Sequence, residues 1–312
     1  MIRSLSSSLL SRYHQRMHVL SRHHRWCRPT ATFSTNITDN PQLDIHYEPL
    51  RQVPYTDALA MQRFKQRELF QTCSNPTTPL TTTAATAAAA IHDGLLLLEH
   101  PSVYTLGRRS TLDNLRFDPN PSSSASVPPA HQPPQPPQPP DLVRVERGGE
   151  VTWHGPGQLV GYPIMNLARG NRKKDLHWFL RQIEQVIINV LADFQIVAER
   201  DAAGTGVWVG DEKIAAIGLS ASKWITMHGF SINVHPDMEC FQEIVPCGIE
   251  GRGVTSLRCL GRTATVDDVA QCVIQQFGLV FDHERNVTMH EKGYPSCEDM
   301  DLELFQTLPL HR

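Results

Sequence analysis

Two features of this chain can do chemistry beyond packing: a thiol set in a glycine-rich turn, and a loop built to wrap main chain around a ligand. Cys247 stands between Pro246 and Gly248, with Gly251 and Gly253 following, in the stretch Ile244 to Leu257, IVPCGIEGRGVTSL. A thiol presented on such a turn can act as a nucleophile. At its ordinary pKa of about 8.5 only a small fraction is thiolate at neutral pH, so it needs a neighbour that favours the charged form. A free cysteine is by default a small buried hydrophobe, and Cys27, Cys73, Cys240, Cys259, Cys272 and Cys297 keep that reading. An odd number of cysteines without a CxxC gives neither a disulfide framework nor a zinc ribbon, and suits a reducing compartment.

The loop is Arg147 to Pro163, RGGEVTWHGPGQLVGYP, which sets five glycines and two prolines around a Thr-Trp-His centre and ends in an apolar run. Glycine lets the backbone take positive φ or approach a ligand closely, so Gly148, Gly149, Gly155 and Gly157 point to main chain wrapped against something. The bland alternative is a glycine-rich hairpin with no ligand. There is no GxxxxGK[ST] loop, no HExxH, and no tight pair of histidine ligands, hence no sequence sign of a nucleotide or metal site.

These features need rigid elements to hold them. Residues 55 to 72 place Leu59, Met61, Phe64 and Phe70 at nearly helical spacing behind Thr56 and Asp57, which predicts a first helix. Gly94 to Leu97, Val103 to Leu106, Leu142 to Glu146 and Leu159 to Leu167 read as strands. Asp175 opens a long amphipathic helix whose Phe179, Ile183, Ile187 and Val190 recur with the 3.6-residue period. Val207 to Val209 and Lys213 to Leu219 alternate across Gly210-Asp211 as a hairpin, and Phe230 to Val234 is a further strand. Thr265, with Asp267 and Asp268 behind it, starts a last helix. Hairpins flanked by a few helices indicate an α+β domain with a mixed or antiparallel sheet.

Parts of the 312 residues cannot belong to that core. Residues 1–38 hold six arginines and no acid, and Leu5, Leu9, Leu10, Met17 and Leu20 can form the apolar side of a basic helix. This reads as a mitochondrial transit peptide, with a disordered basic arm for nucleic acid as the alternative. The catalytic domain is then expected over 39–285, interrupted by low-complexity insertions at about 75–90 and 118–140, with a tail over 286–312. Without the arm the charge is 23 minus 32, or −9, which argues against general nucleic-acid binding. No segment approaches the roughly 18 to 20 apolar residues of a membrane span.

The stretch Arg147 to Pro163, together with Gly204 to Val234 (GTGVWVGDEKIAAIGLSASKWITMHGFSINV) and Ile244 to Leu257, closely resembles the lipoyl(octanoyl) transferases, the LipB-type acyltransferases of the biotin/lipoate protein ligase-like fold. The resemblance runs from about Asp57 to Val280. It implies that Cys247 and Lys213 carry out acyl transfer, with the ammonium of Lys213 favouring the Cys247 thiolate and the lysine shuttling a proton as general acid and base. Read from the residues alone, Lys213 at the start of a strand is a solvated edge residue. The resemblance further implies a substrate site formed by Arg147, Gly148, Gly149, Glu150, Val151, Thr152, Trp153 and His154, by Ala216, Ile217 and Gly218, and by Gly229, Phe230 and Ser231. His154 and His228 are carried as neighbours of the substrate, not as bases. Trp153 stands where tyrosine is most common, and keeps an aromatic wall for the acyl chain.

The chemistry so implied starts from an octanoyl thioester on acyl carrier protein, the donor. Cys247 takes the acyl group, and the amine of a lysine then receives it as an amide. The acceptors are lipoyl domains of 2-oxoacid dehydrogenase complexes and glycine cleavage H protein, and the place is the mitochondrial matrix. Thioester to thioester is near isoenergetic and thioester to amide runs downhill, so no cofactor, ATP or metal is expected. An apolar tunnel would gain about 0.8 kcal/mol per buried methylene. A donor of acidic character would find its landing site on Arg169, Arg172, Lys173 and Lys174, the densest basic cluster. Three rivals remain: an ATP-dependent lipoate or biotin ligase, a cysteine hydrolase, and a non-catalytic acyl-binding paralogue.

Overall fold

Apolar runs without polar alternation need cover on both faces, and DGLLLLE and QLVGYPI become the strands at the centre of the molecule. The structure, a computed structural model, describes residues 43–74, 92–118, 141–201, 204–245, 252–281 and 287–290. In β2 (Asp93–Glu99) and β6 (Gln158–Ile164) nearly every side chain is buried. Leu95, Leu97 and Leu159 point into one core, while Leu96, Leu98, Val160, Tyr162 and Ile164 point into the other.

The main sheet adds β1 (Leu43–Gln52), β7 (Glu199–Arg200), β8 (Val207–Val209), β9 (Glu212–Ser222), β10 (Ile225–Asn233), β11 (Gly253–Val254) and β12 (Val287–His290). Its order is β12-β1-β2-β6-β10-β9-β8-β7, with β11 pairing β9. The strands β12, β1 and β2 are parallel, and β2 through β7 along this order are antiparallel, so the sheet is mixed. The α+β expectation holds. A small second sheet, β4-β3-β5, joins β3 (Val103–Leu106), β4 (Asp141–Arg144) and β5 (Val151–His154).

One face of the main sheet is covered by α1 (Tyr55–Ser74), the other by α2 (Leu176–Asp193) and α3 (Val266–Phe281). The caps follow the sequence. Asp175 accepts hydrogen bonds from the N–H groups of His177 (2.8 Å) and Trp178 (3.2 Å), satisfying donors that have no partner inside the helix. Thr265 and Asp268 cap α3 reciprocally, Oγ1 accepting from the Asp268 N–H at 3.1 Å and the carboxylate from the Thr265 N–H at 2.9 Å.

Three departures from the sequence reading have physical causes. β1 and β12 were not expected, and β12 brings residues assigned to the tail into the main sheet. Arg172 does not belong to a surface cluster. Its guanidinium meets the buried Asp93 carboxylate at 2.6 Å and donates to the Asn166 carbonyl at 3.0 Å, with the side chain only 3% exposed. Burial pushes the Asp93 carboxyl up and Arg172 opposes it, so this arginine serves the fold, and only Arg169, Lys173 and Lys174 are left at the surface. Lys223 and Trp224 turn β9 into β10 with φ of 48° and 68°, a tight hairpin without the Gly or Asn that marks such turns. Residues 1–38, the insertions at 75–90 and 118–140 save Asp118, residues 291–312 and Cys247 itself lie outside the described residues.

Candidate active site

The sheet is interrupted where β6 meets β10. Their pairing runs from Asn233 opposite Gln158 to Phe230 opposite Gly161 and stops before Pro163, which has no N–H for a ladder. There the Thr226 hydroxyl takes over, donating to the Pro163 carbonyl at 2.7 Å and accepting from the Met165 N–H at 2.9 Å. His228 takes φ of 58°, and its N–H leaves the sheet to donate to Gln62 Oε1 of α1 at 2.8 Å. The strands approach so closely here that a Cβ on Gly229 would overlap the Gly161 carbonyl.

Beside this break lies a cavity of about 610 Å³. Arg147, Gly148, Gly149, Glu150, Val151, Thr152 and His154 line it from the glycine-rich loop and β5. Ala216, Ile217, Gly218, Gly229, Phe230 and Ser231 line it from β9 and β10, and Lys213 and His228 also face it. The loop is pinned to β9 by the Gly148 N–H donating to the Leu219 carbonyl at 3.0 Å. Arg147 is buried under it, donating to the Thr105 carbonyl and hydroxyl, both at 2.8 Å. Trp153 is the exception among the expected lining residues. Its alternate position on β5 sends the ring the other way, over Gly155 and edge-on to Phe241 in a satellite core, with its N–H on Ser102 at 3.0 Å. It is no wall for a ligand.

Lys213 is not a solvated edge residue. It sits near the start of β9, where β8 and β11 both pair with it, and is 6% exposed. Its Nζ lies 4.8 Å from the centre of the Trp208 ring, a cation–π distance. Gly206, at φ of 129°, makes room, because a Cβ there would press on the Ala215 carbonyl and come within 3.4 Å of the lysine stem. The same indole carries the Arg252 guanidinium at 4.4 Å, and Arg252 bridges Asp201 at 2.7 Å and Asp211 at 3.0 Å. Arg252 is the first described residue after 246–251, so the C-terminal shoulder of the Cys247 segment is fastened to the Lys213 hairpin.

Sequence reasoning missed a buried relay opening on the cavity. The Val53 carbonyl accepts from His100 Nδ1 at 2.5 Å, so Nε2 must accept from the Tyr162 hydroxyl at 2.7 Å. Tyr162 in turn takes its bond from Tyr55, whose hydroxyl burial pushes up to about 12, and Tyr55 stacks on His154 at 6.2 Å. Burial likewise holds His100 down to about 4 and His154 and His228 down to about 3. All three rings are neutral at physiological pH, which removes them as cations. His228 has no partner for either ring nitrogen among the described residues. The cavity therefore mixes charged groups, among them Arg147, Glu150 and Lys213, with neutral imidazole rings, the apolar Val151, Ala216, Ile217 and Phe230, and glycine-paved main chain, a lining that can take an alkyl chain attached to a reactive carbonyl.

The lipoyl protein ligase A/B catalytic-domain model matches residues 66–278. An octanoyltransferase of Nostoc sp. is 50% identical over 194 residues, 62% of this chain and 80% of that protein. One from Synechococcus sp. (strain JA-2-3B'a(2-13)) is 44% identical over 252 residues, 80% and 86% of the two chains. The chain belongs to the octanoyltransferase family. It is an acyltransferase, and octanoyltransferases of this kind are built on a fold shared with ligases. The bipartite lipoate protein ligase of Thermoplasma acidophilum superposes with a TM-score of 0.52 at 12% identity, covering 81% of this chain and 87% of that one, which is a likeness of fold alone. Within the family's frame, the cavity places Lys213 among the segments that the resemblance assigned to the acyl chain. Among the described residues no helix is long and apolar enough to cross a membrane.

Proposed function

We propose that this octanoyltransferase takes the octanoyl group from the thioester of octanoyl-acyl carrier protein, holds it as a thioester on Cys247, and passes it to the target lysine of lipoyl domains and glycine cleavage H protein. The observation that carries the reading is the buried Lys213 ammonium in a cavity lined by the family's signature segments. In the first step the thiolate attacks the donor carbonyl and the carrier thiol leaves with a proton. In the second the acceptor amine attacks the Cys247 thioester, loses a proton, and the cysteine is released. Lys213 is the group that gives and takes these protons. Both bonds broken are thioesters, so no nucleotide enters.

One assay tests this against the rivals. Purified protein with octanoyl-carrier and apo lipoyl domain, without ATP, is expected to yield the octanoylated domain. Product only with free octanoate and ATP would make it a ligase. Free octanoate as sole product would make it a hydrolase, and no turnover a binding protein.

We further place the enzyme in the mitochondrial matrix, on the strength of the acid-free, arginine-rich arm over 1–38. That arm fused to a fluorescent reporter is expected to carry it to mitochondria, and import should be lost when Arg3, Arg12 and Arg16 become Glu. A reporter left in the cytosol, or sent to plastids, overturns the placement.

A further inference from the structure

His154 is oriented by Gln158, four residues on, and through it by β10. Its Nδ1 lies 2.7 Å from Gln158 Oε1. The Gln158 amide donates to the Trp153 carbonyl at 3.3 Å and to Asn233 Oδ1 at 2.9 Å. Asn233 donates from Nδ2 to the Thr255 carbonyl at 3.0 Å, and the Thr255 N–H donates to the Lys213 carbonyl at 3.0 Å. The three side chains, of His154, Gln158 and Asn233, and Thr255 are all buried.

The direction of this chain is fixed at its far end. A backbone carbonyl can only accept, so Asn233 must present its NH₂ to Thr255 and its oxygen to Gln158. Gln158 must then present its NH₂ to Asn233 and its oxygen to His154. The neutral His154 ring therefore carries its proton on Nδ1, leaving Nε2 unprotonated in a ring that lines the cavity. The groups around it are Arg147, His100, His228 and Tyr55. A second cation beside Arg147 would oppose burial of an alkyl chain, so a fixed neutral ring serves the binding wall.

We propose that Asn233 and Gln158 are positioning residues of this enzyme: they set the tautomer of the His154 wall and tie it to Thr255, which holds the Lys213 strand. Asn233 is the keystone, since its own carbonyl also accepts the Leu257 N–H at 3.0 Å, holding Thr255 to Leu257 on the segment that follows Cys247. The purpose assigned to the coupling rests on the acyl-transfer reading. The tautomer itself does not.

Two variants test it in the full-length protein. Long-range proton–nitrogen spectra of the His154 ring, assigned by its loss in His154→Gln, are expected to show the Nδ1–H form in the wild type. Asn233→Leu removes the shorter of the two bonds that hold the Gln158 amide and leaves only the 3.3 Å bond to the Trp153 carbonyl, so the second tautomer should appear beside the first and kcat/KM fall by up to about 10²-fold, the effect of misplacing groups by about 1 Å. Gln158→Glu is isosteric but sets a carboxylate oxygen against the Trp153 carbonyl and Asn233 Oδ1, so its folding is checked by its melting curve, and the wild-type spectrum decides the tautomer even where neither variant folds. The carboxylate of this variant can only accept, so it keeps the Nδ1–H form while raising the ring's pKa through an added negative charge, and KM for octanoyl-carrier should rise with little change in kcat. An Nε2–H ring in the wild type overturns the proposal, as does a Gln158→Glu variant with unaltered His154 titration, or mixed tautomers with wild-type kinetics. The spectra need no substrate. A fixed tautomer in a protein that transfers nothing therefore refutes the proposed function and leaves the relay standing.

Discussion

Cys247→Ala is expected to abolish octanoyl transfer while leaving the fold intact. In the proposed mechanism the acyl-enzyme needs a sulfur at this position, and none of the described thiols is placed to substitute. Cys272 is buried between the helices. The Cys240 thiol is pushed up by burial and by Asp237, the opposite of what a nucleophile requires, and Cys259 lies exposed on the far side of Thr255 and Leu257 in sequence. The flanks of the segment are held without the thiol: Ile244 bridges Leu115, the Val245 N–H donates to the Asn114 carbonyl at 2.9 Å, and Arg252 is fastened to two aspartates. Thermal unfolding should therefore match the wild type. Mass spectrometry of the wild type after octanoyl-carrier should show one acyl adduct, on Cys247. An adduct on Cys240 or Cys259, or activity retained in the alanine variant, removes Cys247 from the mechanism.

What was legible in the sequence was what local pattern decides. The 3.6-residue period behind Asp175, the Gly210-Asp211 turn and the glycine density around Arg147 each carry their own signal, and each appears as an element or a lining of the cavity. Residues whose meaning depends on a distant partner were not legible. Arg172 reads as part of a basic run until Asp93, far away in sequence, is seen beneath it. Tyr55, Gln62 and His100 look like helix and loop residues, yet they complete the site through contacts with Tyr162 of β6 and His228 of β10, far away in sequence. β1 was hidden because Pro49 falls inside it, where the register with β2 shifts between Tyr47 and Gln52. Trp153 was placed in the cavity because its neighbours in sequence are there. The two-residue period of a strand sends adjacent side chains to opposite faces, and Trp153 goes with Val151 into the satellite core while Thr152 and His154 alternate with them, so a signature read as a contiguous string overstates the site.

Lys213→Met is expected to keep the fold and slow transfer by about 10²- to 10⁴-fold, the range of general acid–base contributions. Methionine is unbranched and of similar length, so it retains the packing against Gly206 that the lysine stem makes. It removes the desolvation cost of a buried cation together with that cation's favourable contacts, the one over Trp208 among them, so the melting temperature should stay near that of the wild type. Under the proposed mechanism two roles are lost together. The Cys247 thiolate of that mechanism loses a neighbour that favours it and its pKa should rise, each unit being about 1.4 kcal/mol. Without a titratable amine no group moves the proton between carrier thiol, cysteine and acceptor. Lys213→Arg separates them, since a guanidinium keeps the charge and cannot give up its proton. The arginine variant should show near wild-type dependence of Cys247 alkylation on pH, yet remain slow in transfer to the lipoyl domain. The methionine variant should shift the alkylation profile to higher pH and lose both half-reactions. If it titrates and transfers like the wild type, the lysine belongs to the packing around Trp208 and not to the chemistry.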